Sequence, residues 1–208
     1  MFKKFPSMKY NNFHNYFNDY FQDFDQSLKK IDVNQIKKIT KLLEKSYKTA
    51  STIYVCGNGG SAAIANHFEC DHKKILNETK KINPRIISLC TNNPLITALA
   101  NDISYNSVFM KQLQYLAKKK DLLITISSSG NSENIIQAIK YAKKNGIIVI
   151  SFTGFDGGRS RKLCDHSLHV DSYNYGVVEN LHHAIMNITS QYIRNNILSD
   201  SQIKKIKF

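Results

Sequence analysis

The chain has 208 residues, 42% of them apolar, enough for one substantial core and too few for two comfortable domains. No apolar run approaches the roughly 20 residues that span a bilayer, and the Lys-bearing start turns polar at Asn11 and Asn12 instead of continuing as a signal peptide; a membrane is excluded as partner and the expected location is cytoplasmic. The net charge of +13 comes from 29 Lys and Arg against 16 Asp and Glu, but pairs such as Lys37-Lys38 and Lys143-Lys144 fall at helix ends and turns without an aromatic-interleaved stripe, which reads as solvated lysine and not as a nucleic-acid surface.

In chain order, Tyr10, Phe13, Tyr16, Phe17, Tyr20, Phe21 and Phe24 stand three and four apart, on one stripe of a helix within residues 8–30. So wide a stripe needs a large cover, either the chain's own domain or, the favoured reading, another subunit. A second helix is expected over Val33–Lys48. Strands are then expected at Thr52–Cys56, Arg85–Cys90, Leu122–Ser127, Ile147–Thr153 and Ser167–Val170. Helical patterns separate them at Ser61–Lys74, Pro94–Ala117 (two helices), Glu133–Asn145 and a short turn near Arg159–Leu163, and a long last helix covers Gly176–Asn196. Near-continuous apolar strands alternating with helices predict an α/β fold: a doubly wound, five-stranded parallel sheet with two leading helices and a long C-terminal helix. Residues 1–208 form one domain, in which 1–50 is a helical oligomerisation segment, 51–197 the core and 198–208 a basic tail. Cys56, Cys70, Cys90 and Cys164 form no C-x-x-C pair and read as reduced thiols, none a persuasive nucleophile.

In such sheets ligands sit beyond the carboxyl ends of the strands, so the segments after each strand carry the chemistry. The first is Gly57-Asn58-Gly59-Gly60-Ser61, a turn that aims backbone N–H groups at an anion. It lacks the third glycine of a dinucleotide motif and the Lys-Ser/Thr of a P-loop, so no nucleotide cofactor is expected. After the third strand, Ser127-Ser128-Ser129-Gly130-Asn131-Ser132 opens a helix with more hydroxyls than capping needs. It is the better phosphate cradle, although Ser132 alone suits an N-cap. Asn101 and Asp102 suit either sugar hydroxyls or helix termination. Thr153-Gly154-Phe155-Asp156-Gly157-Gly158 shapes a pocket wall.

These four motifs, in this order and spacing, resemble those of the sugar isomerase (SIS) domain family, and residues 10–197 with both leading helices look like its phosphoheptose isomerase branch. The resemblance implies that Ser127, Ser128, Ser129 and Ser132 bind the phosphate of a sugar, that Asn58, Gly59 and Ser61 line the sugar end, and that a homotetramer shares its sites between subunits. In that family a Glu four residues after a helix His and a His on the last helix move protons, with a Gln on that helix near a bound zinc. Here His67 is followed at that spacing by Asp71, the Gln position is Glu179 and the last-helix His position is Asn187, which is no acid or base at neutral pH. Glu179, His183 and Asn187 follow at i, i+4 and i+8 on one helix face. A set of His67, Asp71, Glu179 and His183 is therefore expected either to hold one Zn2+ ion or, with Asp71 or Glu179 as base and His183 assisting, to carry catalysis. The competing reading makes His183, or His182 in its place, a buried structural residue; His72 is expected on the surface. Two functions follow: a ketose–aldose isomerase acting on a heptose 7-phosphate, or a non-catalytic SIS protein that binds a partner such as the replication initiator.

Overall fold

The computed structural model describes residues 5–49 and 51–206; the outermost residues of the expected N-terminal segment and basic tail lie outside them. Two helices lead, α1 (Phe13–Lys29) and α2 (Val33–Tyr47), capped by the side chains of Asn12 and Asp32, which accept from backbone N–H groups of the first turn. Then follow β1 (Ile53–Gly57), α3 (Gly60–Asn77), β2 (Ile86–Ser88), α4 (Asn93–Asp102), a 3-10 turn (Tyr105–Ser107) and α5 (Val108–Leu116). The second half comprises β3 (Leu122–Ser127), α6 (Glu133–Lys144), β4 (Ile148–Thr153), α7 (Gly158–Leu163), β5 (His166–His169), α8 (Tyr175–Ile197) and α9 (Asp200–Ile203).

The five strands are parallel in the order β2-β1-β3-β4-β5. Alternate side chains sort to two cores, as the strand period of two requires. Ile53, Val55, Ile124, Ile126, Ile150 and Phe152 pack with α2, α3 and α8, whereas Tyr54, Cys56, Leu123 and Val149 pack with α4, α5 and α6. The buried hydroxyls of Thr125 and Ser151 pair across β3 and β4 at 2.8 Å.

The expected strands and helices are present, with boundaries moved by one to a few residues. The second strand shortens to Ile86–Ser88, because Leu89 and Cys90 turn away after a Ser88 that accepts from the Cys90 N–H. The two helices expected within Pro94–Ala117 are α4 and α5, separated by the 3-10 turn that Ser104 caps. The fifth strand begins one residue early, at His166. The aromatic stripe of α1 is only partly covered by its own domain. Tyr20 and Phe24 pack on the core, while Phe13, Phe17 and Phe21 remain 80%, 48% and 51% exposed.

Candidate functional site

The chain leaves β1 toward β2 on one side and later returns through β3 on the other, so the loops after β1 and β3 diverge and open a crevice at the switch in strand order. A cavity of about 310 Å³ lies there, lined by Asn58, Gly59, Gly60 and Ser61 from the first loop and Ser127, Ser128, Ser129 and Ser132 from the second. Tyr175 and Glu179 of α8 form its facing wall.

The serine loop keeps hydroxyls in reserve. Ser132 stands at the N-cap position of α6 but makes no side-chain cap hydrogen bond, which sets aside capping as its purpose. The buried Ser128 Oγ has no hydrogen-bond partner among the described residues. Two backbone N–H groups do turn inward on the loop itself: Gly130 donates to Ser127 Oγ at 3.2 Å and Asn131 to Ser129 Oγ at 3.3 Å. An orphaned hydroxyl inside a protein costs free energy unless something occupies it, and a row of hydroxyls at a helix start suits an oxyanion.

The glycine-rich turn after β4 does not line the cavity; it supports the serine loop from behind. Gly154 N donates to Ser128 O at 2.9 Å, and Ser160 N and Oγ both donate to Gly130 O, at 2.9 and 3.0 Å. Arg159 Nη2 and Nη1 reach Asn131 O at 2.7 Å and Glu133 Oε2 at 2.9 Å. Gly130, with φ of +63°, approaches so closely that a Cβ there would overlap the Gly157 carbonyl oxygen.

On the first loop, Asn58 and Asn134 exchange amide hydrogen bonds of 3.0 and 2.9 Å, and Tyr105 Oη donates to Asn58 Oδ1 at 2.9 Å. The Asn58 carbonyl oxygen is thus already engaged, and its remaining N–H is what it can offer a ligand. Glu179 Oε2 sits against the first turn of α3, where a Cβ at Gly60 would overlap it. Burial raises the pKa of Glu179 above the usual carboxylate value.

One turn further along α8, about 6 Å along the axis, lies a second group. His183 Nε2 makes a short hydrogen bond to His67 Nδ1, with the rings nearly perpendicular. His67 Nε2 lies 3.1 Å from Asp71 Oδ1, a turn later on α3. Both ring nitrogens of His67 are thus engaged, one toward Asp71 and the other toward His183. Burial, then the neighbouring His67, lowers the pKa of His183, against the opposing pull of Asp71. Asn187 follows, its buried Oδ1 without a partner among the described residues.

In this structure His67 turns one ring nitrogen to Asp71 and the other to His183, and Glu179 lies beside Gly60. No group of three or more His, Cys, Asp or Glu among the described residues is placed to hold one ion. Asn101 and Asp102 are exposed at the end of α4, bonded to each other at 2.8 Å, and do not reach the cavity. His72 is fully buried and not on the surface. It stacks on Phe68 at 3.9 Å, meets Tyr47 Oη through Nδ1 at 2.6 Å, and burial lowers its pKa to about 3. The structural histidine of α8 is His182, fully buried, bonded to Thr153 O at 3.1 Å, with a pKa lowered by burial to about 4.

With this geometry in place, comparison with known proteins decides the family. A model of the SIS domain matches residues 17–154. The chain belongs to the SIS domain family. A phosphoheptose isomerase of Clostridium acetobutylicum is 36% identical over 168 residues, covering 81% of this chain and 85% of the relative. One from Aliarcobacter butzleri is 38% identical over 162 residues, 78% of this chain and 85% of the relative. Among solved structures, the phosphoheptose isomerase from Neisseria gonorrhoeae superposes with a TM-score of 0.80 at 28% identity, over 88% of this chain and 97% of that one. The SIS fold is therefore shared along nearly the whole length.

Tyr175 and Asn134 belong to the site and were not singled out from the sequence. The signal for Tyr175 was present: it opens the helix after the fifth strand, and the rule that chemistry follows strand ends applies there as it does to the other four.

Proposed function

We infer that this protein is a phosphosugar isomerase that interconverts a ketose and an aldose phosphate, and that its substrate is a heptose 7-phosphate such as sedoheptulose 7-phosphate, a precursor of surface-polysaccharide heptose. The observation that carries this reading is the cavity itself: a serine loop with unspent hydroxyls facing a carboxylate of raised pKa, at the switch point of an SIS-family sheet.

Ser127, Ser128, Ser129 and Ser132 take the phosphate, and Asn58, Gly59 and Ser61 border the sugar end. Glu179 removes the proton from the carbon beside the carbonyl, the electron pair of that C–H bond forms a carbon–carbon double bond while the carbonyl π pair moves onto its oxygen, and the same carboxyl returns the proton to the former carbonyl carbon. The carbonyl oxygen gains a proton and the adjacent hydroxyl loses one. We assign the transfer of that proton to His183, one turn along α8 from Glu179 and hydrogen-bonded to His67. Asp71 itself is committed to His67, which favours Glu179 over Asp71 as the base.

A homotetramer with shared sites belongs to the same proposal, supported by the exposed Phe13, Phe17 and Phe21 of α1. A cytoplasmic location is in keeping with four free thiols. The non-catalytic alternative finds no support in the relatives, which are named as isomerases. The test is product formation: purified protein incubated with sedoheptulose 7-phosphate yields the aldose heptose 7-phosphate. Absence of turnover with every heptose, hexose and pentose phosphate, alongside specific capture of a protein partner, would reinstate the alternative.

A further inference from the structure

Phe155, two residues after β4, has φ of +54°, a left-handed conformation that bulky L-residues adopt only when their surroundings impose it and that tends to mark functional sites. The surroundings do impose it. Gly154 N is tied to Ser128 O at 2.9 Å, and Phe155 N is tied to Ser172 O at 2.9 Å, so the turn is pinned to the serine loop on one side and to the segment before α8 on the other. The close packing is possible because position 154 is glycine; a Cβ there would lie 2.6 Å from the Val178 methyl groups.

The pinned backbone sets the ring. Phe155 stacks on Tyr173, with centroids 5.6 Å apart and planes 3° from parallel, and meets Tyr175 edge-on at 4.8 Å. Tyr175 is 60% exposed and lines the cavity on the wall facing the serines. The start of α8 is held from outside as well, where Asn180 Nδ2 donates to Tyr20 Oη at 2.8 Å. An aromatic ring left open to solvent at the mouth of a polar cavity, and braced by a strained neighbour, adds nothing to the core. Neither phosphate binding nor proton transfer uses it. It offers an apolar ring face, the chemistry that suits the C–H groups of a carbon chain.

We propose that Tyr175, positioned by Phe155, is the specificity-determining wall of the site: it covers the carbon chain of a phosphorylated sugar and discriminates it from other phosphates. This rests on the phosphosugar reading above. The test measures binding of sedoheptulose 7-phosphate and of inorganic phosphate, by calorimetry, to the wild-type protein and to Tyr175→Ala, Tyr175→Phe and Phe155→Gly. Glycine accepts the positive φ, so the last variant removes the ring and keeps the turn. Tyr175→Ala is expected to weaken the sugar phosphate about tenfold, the scale of one aromatic contact, and to leave inorganic phosphate unchanged. Phe155→Gly is expected to reproduce that selective loss, and Tyr175→Phe to retain wild-type affinity for both. Unchanged sugar-phosphate affinity in Tyr175→Ala or Phe155→Gly, loss in Tyr175→Phe, or an equal fall for both ligands overturns the proposal while leaving the phosphate site standing. A wild-type protein that binds neither ligand overturns the functional reading and the proposal together.

Discussion

Replacing Glu179 by Gln removes one proton site and keeps the side chain's shape. The carboxylate lies against Gly60 in the cavity wall and its pKa is raised by burial, which brings it toward working pH, where acid–base catalysis is most effective. Loss of a positioned general base lowers turnover by about 10²–10⁴-fold, or about 3–5 kcal/mol in barrier. Phosphate binding does not pass through Glu179, so the affinity for inorganic phosphate stays at its wild-type value. Folding gives an independent check of the electrostatics. Because burial raises its pKa, Glu179 favours the folded state below the ordinary Glu value near 4.5, and that preference is lost as pH rises through the raised value. Above that range the charged carboxylate is a cost that Gln does not carry, so Glu179→Gln unfolds at the wild-type temperature or higher at neutral pH. The assay is steady-state isomerisation of sedoheptulose 7-phosphate, with calorimetric phosphate binding and thermal unfolding on the same preparations. Turnover within a few-fold of wild type, with phosphate binding intact, would refute Glu179 as the base.

Other outcomes follow from the same geometry. Ser128→Ala removes a buried hydroxyl that has no partner among the described residues, so thermal stability is held or improved while phosphate affinity falls by about tenfold or more, as for a hydrogen bond to a charged group; a loss of stability with affinity intact would show that Ser128 is structural. Gly130→Ala forces a Cβ into the Gly157 carbonyl at φ of +63°, and is expected to destabilise the chain by about 1–3 kcal/mol and to weaken phosphate binding, read by denaturant unfolding and calorimetry. His72 and His182 are buried with pKa values lowered to about 3 and about 4. Their contribution to stability is complete above the ordinary histidine value of 6.5 and is lost as pH falls toward those lowered values. A unfolding-temperature profile that declines over that window, and declines less in His182→Gln, is the expected result.

The order of elements was legible in the sequence because parallel strands buried on both faces read as apolar runs: Ile53–Cys56, Leu122–Ile126 and Ile148–Phe152 could hardly be anything else. The serine loop was legible for a related reason, since four hydroxyl side chains at a helix start exceed what one cap needs. What was not legible depended on which way α8 turns relative to α3. The i, i+4, i+8 spacing puts Glu179, His183 and Asn187 on one face, but only the packed helices show that Gly60 admits the Glu179 carboxylate, so that Glu179 joins the serine cavity and His183 joins His67 instead. His72 was misplaced because spacing from His67 and Asp71 does not reveal that Tyr47, from α2, stands ready to bond it in the core. Asn101 and Asp102 followed a motif into a place the single chain does not bring to the cavity.

The proposed function requires proton transfer at carbon within the serine-lined cavity. The most direct measurement incubates the wild-type protein with sedoheptulose 7-phosphate in deuterium oxide and follows the carbon-bound hydrogens beside the carbonyl by NMR. Deuterium entering at that carbon, in step with formation of the aldose phosphate, is the predicted result. A substrate that binds at the serine loop and keeps all of its carbon-bound hydrogen would contradict the account.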